Sequence, residues 1–202
     1  MALKLFYTFL IVLVGILCYR VYTVYDAKSS LTNPPEAYVF GPEDADLIVT
    51  EFLDYACPYC QVMYPTFKEA MELDGKVRLA PRPLLSTDSD GSGAAYIFYA
   101  AAMNGKAELA HNYLMTEGTN LTEERLPEIA EDLGIELEKF KEDLNSEEPR
   151  DQIGENYKTF GAFGGTGTPT FFIGPDLVYM SDEEMPTAQD FLDLFAEARA
   201  MR

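Results

Sequence analysis

The chain has 202 residues, 48% of them hydrophobic and 13% aromatic, a composition that folds around a core and excludes a disordered polymer. Its formal net charge is −19, and all 34 acidic side chains lie at or beyond Asp26. So acidic a surface repels nucleic acid and anionic lipid and is read as a solubilising face, so no nucleic-acid partner is expected.

At the N-terminus, Leu5–Cys18 is an apolar run of 14 residues. That length suits a signal-peptide core and is short for a spanning helix, which needs about 20 residues. Tyr19–Tyr25 can extend it, with Arg20 reaching to the headgroups and the tyrosines at the interface. No small-x-small cleavage pattern follows closely; Ala27-Lys28-Ser29 fits but lies downstream. Leu17 is bulky where a lipoprotein signal wants a small residue. Residues 1–25 are therefore expected to be an uncleaved anchor ahead of a cleaved signal sequence, with Cys18 a plain apolar helix residue. Either way the domain is exported, to a compartment where disulfides persist. Residues 26–36, polar and proline-bearing, read as a tether.

The folded part, 37–202, opens with a segment read as a short strand, Ala37–Gly41, and a turn. Asp46–Asp54 reads as a buried strand, Gln61–Leu73 as a helix stopping near Gly75, and Lys76–Ala80 as a second strand parallel to the first, because a helix intervenes. Ser86–Gly93 is a turn-rich loop. From there to residue 160 the pattern is helical: Ala94–Met103, Lys106–Met115, a helix from a Thr122 N-cap to Gly134, Glu136–Leu144 and Arg150–Phe160. Strand character returns at Thr170–Ile173 and Leu177–Met180, with a turn at 174–176, and Thr187–Met201 is a closing amphipathic helix. The order predicts an α/β fold, one sheet domain with an all-helical insert over about 88–160.

The chemistry concentrates at Cys57-Pro58-Tyr59-Cys60, on the turn between the first strand and its helix. Pro58 suits the first helical position and makes Cys57 the N-cap. Free N–H groups of the first turn favour a Cys57 thiolate, which can attack a partner disulfide and be released by Cys60. A static disulfide is the competing reading. With His111 the one histidine and no further cysteine in the folded part, the pair leaves a zinc site short of ligands unless carboxylates complete it, so no metal is expected. In the strand before the turn, Glu51 alternates with Val49 and Leu53 on one apolar face. Burial would raise its pKa and let it exchange a proton with Cys60, unless it reaches an edge or a salt bridge. Asp54 reads as a turn residue. Thr168-Pro169, between a glycine-rich approach and an apolar strand, is the second candidate site; a cis bond there would leave the Thr168 backbone free to pair with an extended peptide.

The turn Phe52–Cys60, the late segment Gly165–Ile173 and the helical block between them resemble DsbA-like thiol-disulfide oxidoreductases of the thioredoxin superfamily. The resemblance covers roughly residues 37–200. It implies a thioredoxin-like fold with a helical insert, Cys57 as nucleophile, Cys60 as resolving thiol, and Pro169 as a cis-proline beside them. Pro58, Tyr59, Thr168 and Pro169 would contact substrate, with no cofactor beyond the Cys57–Cys60 redox pair. Glu51 matches an acid six residues before the first cysteine, and Pro65 a helix-kinking proline eight residues after it.

One departure is Tyr59, where oxidases of this group carry histidine. Pro-Tyr between the cysteines and Thr before the proline also look like the isomerase branch, which dimerises through a separate N-terminal domain. Residues 26–36 are too few to encode one, so a monomer is expected. The reading that follows is an extracytoplasmic or periplasmic enzyme, held to the cytoplasmic (inner) membrane by residues 5–25. It would oxidise unfolded or cysteine-containing exported proteins, and a membrane redox partner would reset its cysteine pair. A reductase or isomerase, a peptide-binding chaperone without turnover and a metal carrier are the rivals.

Overall fold

The computed structural model describes residues 2–85, 89–117, 121–174, 177–180 and 185–201. It opens with one unbroken helix, α1 (Ala2–Thr32). Phe6–Thr32 is long and apolar enough to cross a membrane, and apolar side chains such as Phe9, Ile11 and Leu17 project from it exposed.

Here the structure departs from a tether over 26–36. The helix continues through residues 26–32, and Ala27 and Leu31 are buried against the domain. The polar composition misled because Ala27 and Leu31, four apart, share one helix face and only that face is covered. Ala37–Gly41 likewise is not a strand. Glu36–Tyr38 forms a 3-10 turn, and pairing is confined to a single bridge from Phe40 to Leu79.

The sheet has the order β2-β1-β3-β4, built from β1 (Leu47–Leu53), β2 (Val77–Pro83), β3 (Thr170–Ile173) and β4 (Leu177–Met180). β1 pairs parallel with β2 and antiparallel with β3, and β3 pairs antiparallel with β4. β2 runs beyond Ala80 to Pro83; prolines 81 and 83 are tolerated because it is an edge strand. The helix α2 (Pro58–Asp74) returns the chain from β1 to β2 and ends on Gly75, whose φ of +69° lets its N–H close back on the Met71 carbonyl at 2.9 Å. Phe67 on α2 packs with Val49, Phe171 and the phenylalanines of α8 (Ala188–Ala200) on one face of the sheet. α8 starts on a capping box between Thr187 and Asp190.

The helical block comprises α3 (Ser89–Met103), α4 (Ala107–Thr116), α5 (Leu126–Asp132), α6 (Leu137–Leu144) and α7 (Glu147–Ala162). α3 is the centre of the block, with Ala94, Phe98, Tyr99 and Ala101 all buried, which is why its sequence shows no polar stripe. It begins at Ser89, inside the stretch read as a loop; residues 86–88 of that loop lie outside the described residues, as do 175–176 of the turn before β4. The segment after Thr122 is a 3-10 turn followed by α5, and Thr122 makes no side-chain cap bond. α7 covers the second face of the sheet, where Phe160 packs on Phe52 with ring centroids 5.0 Å apart. The fold is thioredoxin-like, a mixed sheet carrying a large helical block.

Candidate functional site

Three elements meet at the end of β1. Asp54 shapes the turn: its carboxylate accepts the Ala56 N–H at 2.8 Å and its carbonyl the Cys57 N–H at 2.9 Å. Cys57 is then the N-cap of α2 with φ −73° and ψ 119°, and Pro58 occupies the first turn, where its missing N–H costs nothing. Both cysteines are free thiols. Cys57 is partly exposed, whereas Cys60, on the inner side of the first turn, is buried. The helix runs on through Pro65.

From the far side, the Thr168–Pro169 bond, which is cis, brings Thr168 against the first cysteine. Cys57 Sγ lies 3.4 Å from the Thr168 carbonyl oxygen and donates to it while protonated. Pro169 is buried and Thr168 half-buried. Pro58 and Tyr59 point outward; Tyr59 is 61% exposed and Val62, one turn on, 64%, so the rim beside the thiol is apolar.

The two thiols are electrostatically unlike. The Cys60 thiol donates to Cys57, and the N–H groups of Cys60 and Tyr59 and the Thr168 side chain add to it. Against the opposing effect of burial they bring Cys57 down to about 5. That same hydrogen bond, then burial and the Glu51 charge, pushes Cys60 far above the ordinary thiol range. The arrangement can supply one nucleophilic sulfur and one held in reserve.

Glu51 is buried at 2% exposure, flanked across the sheet by Pro81 on β2 and Phe171 on β3. One carboxylate oxygen, Oε2, has no hydrogen-bond partner among the described residues. Burial, and then the nearby Cys57 charge, pushes its pKa up to about 8. It forms neither a salt bridge nor an edge contact among the described residues.

Residues without a motif complete the setting. Tyr55, two positions before Cys57, is buried; its carbonyl accepts from Gln61 Nε2 at 2.8 Å and its hydroxyl meets His111 Nδ1 of α4 at 3.0 Å. The His111 ring also lies edge-on to Tyr64 of α2, centroids 4.9 Å apart. So the helical block grips the turn and its helix through one buried imidazole. Only the singularity of His111 in the composition hinted at this.

The family model of the DSBA-like thioredoxin domain matches residues 48–196. The chain is 26% identical over 193 residues to the probable disulfide bond formation protein D of Bacillus anthracis, covering 84% of this chain and 86% of that one. It is also 31% identical over 143 residues to the Na(+)/H(+) antiporter NhaA 3 of Salinispora tropica, but that match takes in 70% of this chain and 22% of the antiporter. Among solved structures, a thioredoxin-like oxidoreductase from Silicibacter pomeroyi superposes with a TM-score of 0.74 at 29% identity, over 85% of this chain and 96% of that one. The thiol-disulfide exchange protein alpha-DsbA2 of Wolbachia pipientis shares the fold at 20% identity, with a TM-score of 0.71 over 93% and 97% of the two chains.

Proposed function

The chain belongs to the DSBA-like thioredoxin-domain family and is a thiol-disulfide oxidoreductase, and from that premise we propose that it is exported, membrane-anchored and oxidises the thiols of extracytoplasmic proteins through Cys57 and Cys60. The observation that carries this reading is the contrast between the thiols, one drawn down to about 5 at the rim and one buried and held protonated. A stabilised thiolate favours the reduced pair over its disulfide, which makes the disulfide a strong oxidant. The same stabilisation makes Cys57 a good leaving group.

The cycle balances as follows. A substrate thiolate attacks Cys57 Sγ of the Cys57–Cys60 disulfide; the bond to Cys60 breaks, and Cys60 leaves as a thiolate that takes a proton from Glu51. A second substrate thiolate attacks the mixed disulfide at the substrate sulfur, forming the substrate disulfide and expelling the Cys57 thiolate. Two electrons pass from substrate to the pair. A membrane redox partner with its own disulfide takes them back: Cys57 attacks it, Glu51 accepts the Cys60 proton, and Cys60 closes on Cys57. Losing the Cys57 charge to a mixed disulfide removes one of the two influences that raise Glu51. Pro58, Tyr59, Thr168 and Pro169 form the rim on which an extended substrate segment lies, no cofactor takes part, and one chain suffices.

The apolar helix α1 supports the anchor and hence a periplasmic or extracytoplasmic setting. The test is the reduction potential of the full-length protein in detergent. A value of about −120 mV fits an oxidant; one of about −270 mV would reassign the chain as a reductant. Thiol oxidation by a Cys57→Ser variant at the parent rate would refute the assignment altogether.

A further inference from the structure

The last turns of α1 are built into the domain, and that has a geometric consequence for the thiol. Arg82 of β2 is buried, and its Nη2 donates to the Ser30 carbonyl at 2.5 Å and the Ser30 hydroxyl at 2.7 Å. Its Nη1 lies 3.4 Å from the Thr159 hydroxyl of α7, and the guanidinium sits over the Phe52 ring, 5.8 Å from its centroid. Leu31 is buried in a cluster with Phe52, Leu84, Phe160 and Phe172. Asp26 pairs with Lys158 at 3.0 Å. A buried guanidinium satisfied by a helix carbonyl is a joint, not a tether: pulling α1 away would strand that charge.

The joint also has a direction. Leu31 packs with Phe160, Asp26 pairs with Lys158, and Tyr19, Arg20 and Thr23 line a crevice of about 260 Å³ with Gly161 and Ala162. Residues 19–31 of α1 therefore pass the last turns of α7, residues 158–162, and the apolar stretch 5–18 leaves the domain beside the C-terminal end of α7. The next residues after that end lead to the thiol. Six steps along the chain lead from Ala162 to Thr168, a span of at most about 20 Å, and Thr168 touches Cys57. A domain of this size is roughly 40 Å across, so the thiol belongs to the end from which the anchor emerges.

We propose that α1, Arg82 and α7 form a rigid mount that holds the Cys57 face at the bilayer surface, so that the enzyme serves cysteines carried within about 20 Å of the membrane in preference to those of freely diffusing chains. This rests on the anchored reading above. The apolar rim of Tyr59 and Val62 then faces a partner at the headgroup level.

The test uses full-length protein in phosphatidylcholine vesicles. In a Cys18→Ala/Cys60→Ala background, a donor fluorophore on Cys57 reports its height above acceptor-labelled headgroups by time-resolved energy transfer. A narrow distribution within about 20 Å is expected. Inserting a 12-residue Gly/Ser segment between Arg20 and Val21 leaves the Ser30–Arg82 joint intact and gives the domain a free reach of about 20 Å; its distribution should broaden. With the cysteine pair intact, the parent should exchange with a disulfide peptide on a short lipid tether at least about tenfold faster than the insertion variant. Both should treat the same peptide in solution alike. A parent distribution as broad as the variant's overturns the mount, and a narrow one beyond about 35 Å overturns its orientation; in either case the anchor stands. A parent chain that does not stay with the vesicles overturns the anchor and the mount together.

Discussion

The Sγ of Cys57 lies 3.4 Å from the carbonyl oxygen of Thr168, a residue 111 positions further along the chain. A carbonyl facing a thiolate is unfavourable, so this contact alone would keep the thiol protonated. Yet Cys57 is drawn down to about 5. The donors around it, with the Cys60 thiol first, outweigh both that carbonyl and burial.

Removing the first donor should therefore undo most of the effect. In Cys60→Ala, the Cys57 pKa is expected to climb by more than about one unit toward the free-thiol value of about 8.5. Thr168→Val, which loses only a side-chain donor, should raise it less. The pH dependence of iodoacetamide alkylation reads both. An unchanged Cys57 in Cys60→Ala would mean that the helix N-terminus, not the second thiol, governs the nucleophile.

Glu51 and Cys57 pull stability in opposite directions with pH. Burial, and then the Cys57 charge, raises Glu51 from 4.5 to about 8 in the dithiol form, so the folded form holds a proton that the unfolded chain gives up. Its contribution is complete below about 4.5 and is lost as pH rises to about 8. Cys57, lowered from 9.0 to about 5, behaves oppositely: its contribution is present above about 9 and is lost as pH falls toward 5. The disulfide form has no Cys57 thiol to compensate. Burial, the larger influence, still raises Glu51 there, so the melting temperature of the disulfide form should fall as pH rises above about 5 while the dithiol form stays level, and Glu51→Gln should flatten the disulfide form. Thermal unfolding of both redox forms in detergent checks this; identical slopes for parent and Glu51→Gln would place the charge of Glu51 in solvent.

The parts of the site that could be read in the chain are those whose chemistry is local. Cys57, Pro58 and Cys60 share one helical turn, and the alternation that buries Glu51 needs only its neighbours on β1. Pro169 lies far from them in sequence and was linked to them by family resemblance, not by any pattern. What escaped depends on distant elements. The tether reading failed because Leu31 finds its apolar surface on Phe160 and Phe172, residues more than 100 positions away. Arg82 would pass as a surface cation, and its burial is explained by distant partners, the Ser30 carbonyl and hydroxyl, the Thr159 hydroxyl and the Phe52 ring. Pairing of Tyr55 with His111 requires α4 to pack beside α2, which no periodicity encodes.

Gly165 sits where a side chain has no room. A Cβ there would fall 2.2 Å from the Phe160 ring, and the Gly165 N–H already bonds the Phe160 carbonyl at 3.0 Å. Gly165→Ala must move either the ring, which packs on Phe52, or the loop that carries Thr168. A loss of about 1–3 kcal/mol is expected, or several degrees in melting temperature, with slower thiol exchange. Trimming the obstacle in Gly165→Ala/Phe160→Leu should recover part of both; a single variant with parental melting and exchange would show that the loop has slack.

His111 gives the fold a weakness to acid. The imidazole is fully buried, Nδ1 meets the Tyr55 hydroxyl at 3.0 Å, and Nε2 has no partner among the described residues. Aromatic rings of Phe40, Tyr55, Tyr64 and Phe98 surround it. Burial, and then the Lys68 charge, lowers it from 6.5 to about 3. The folded form keeps a neutral ring, whereas the unfolded chain takes up a proton below 6.5. Stability from this residue is therefore complete above about 6.5 and lost as pH falls toward 3, by up to about 1.4 kcal/mol per pH unit. Both proteins share every other ionisable group, so the informative quantity is the difference between parent and variant. His111→Phe cannot titrate but strands the Tyr55 hydroxyl, at a cost of about 1–3 kcal/mol. It should be the less stable protein at pH 7, and its deficit should shrink or reverse by pH 4.5. His111→Gln, which can still reach Tyr55, should carry a smaller deficit at pH 7 and the same trend. Urea midpoints at pH 4.5 and 7 decide it: a deficit that does not change with pH would mean that His111 is not held neutral inside the fold.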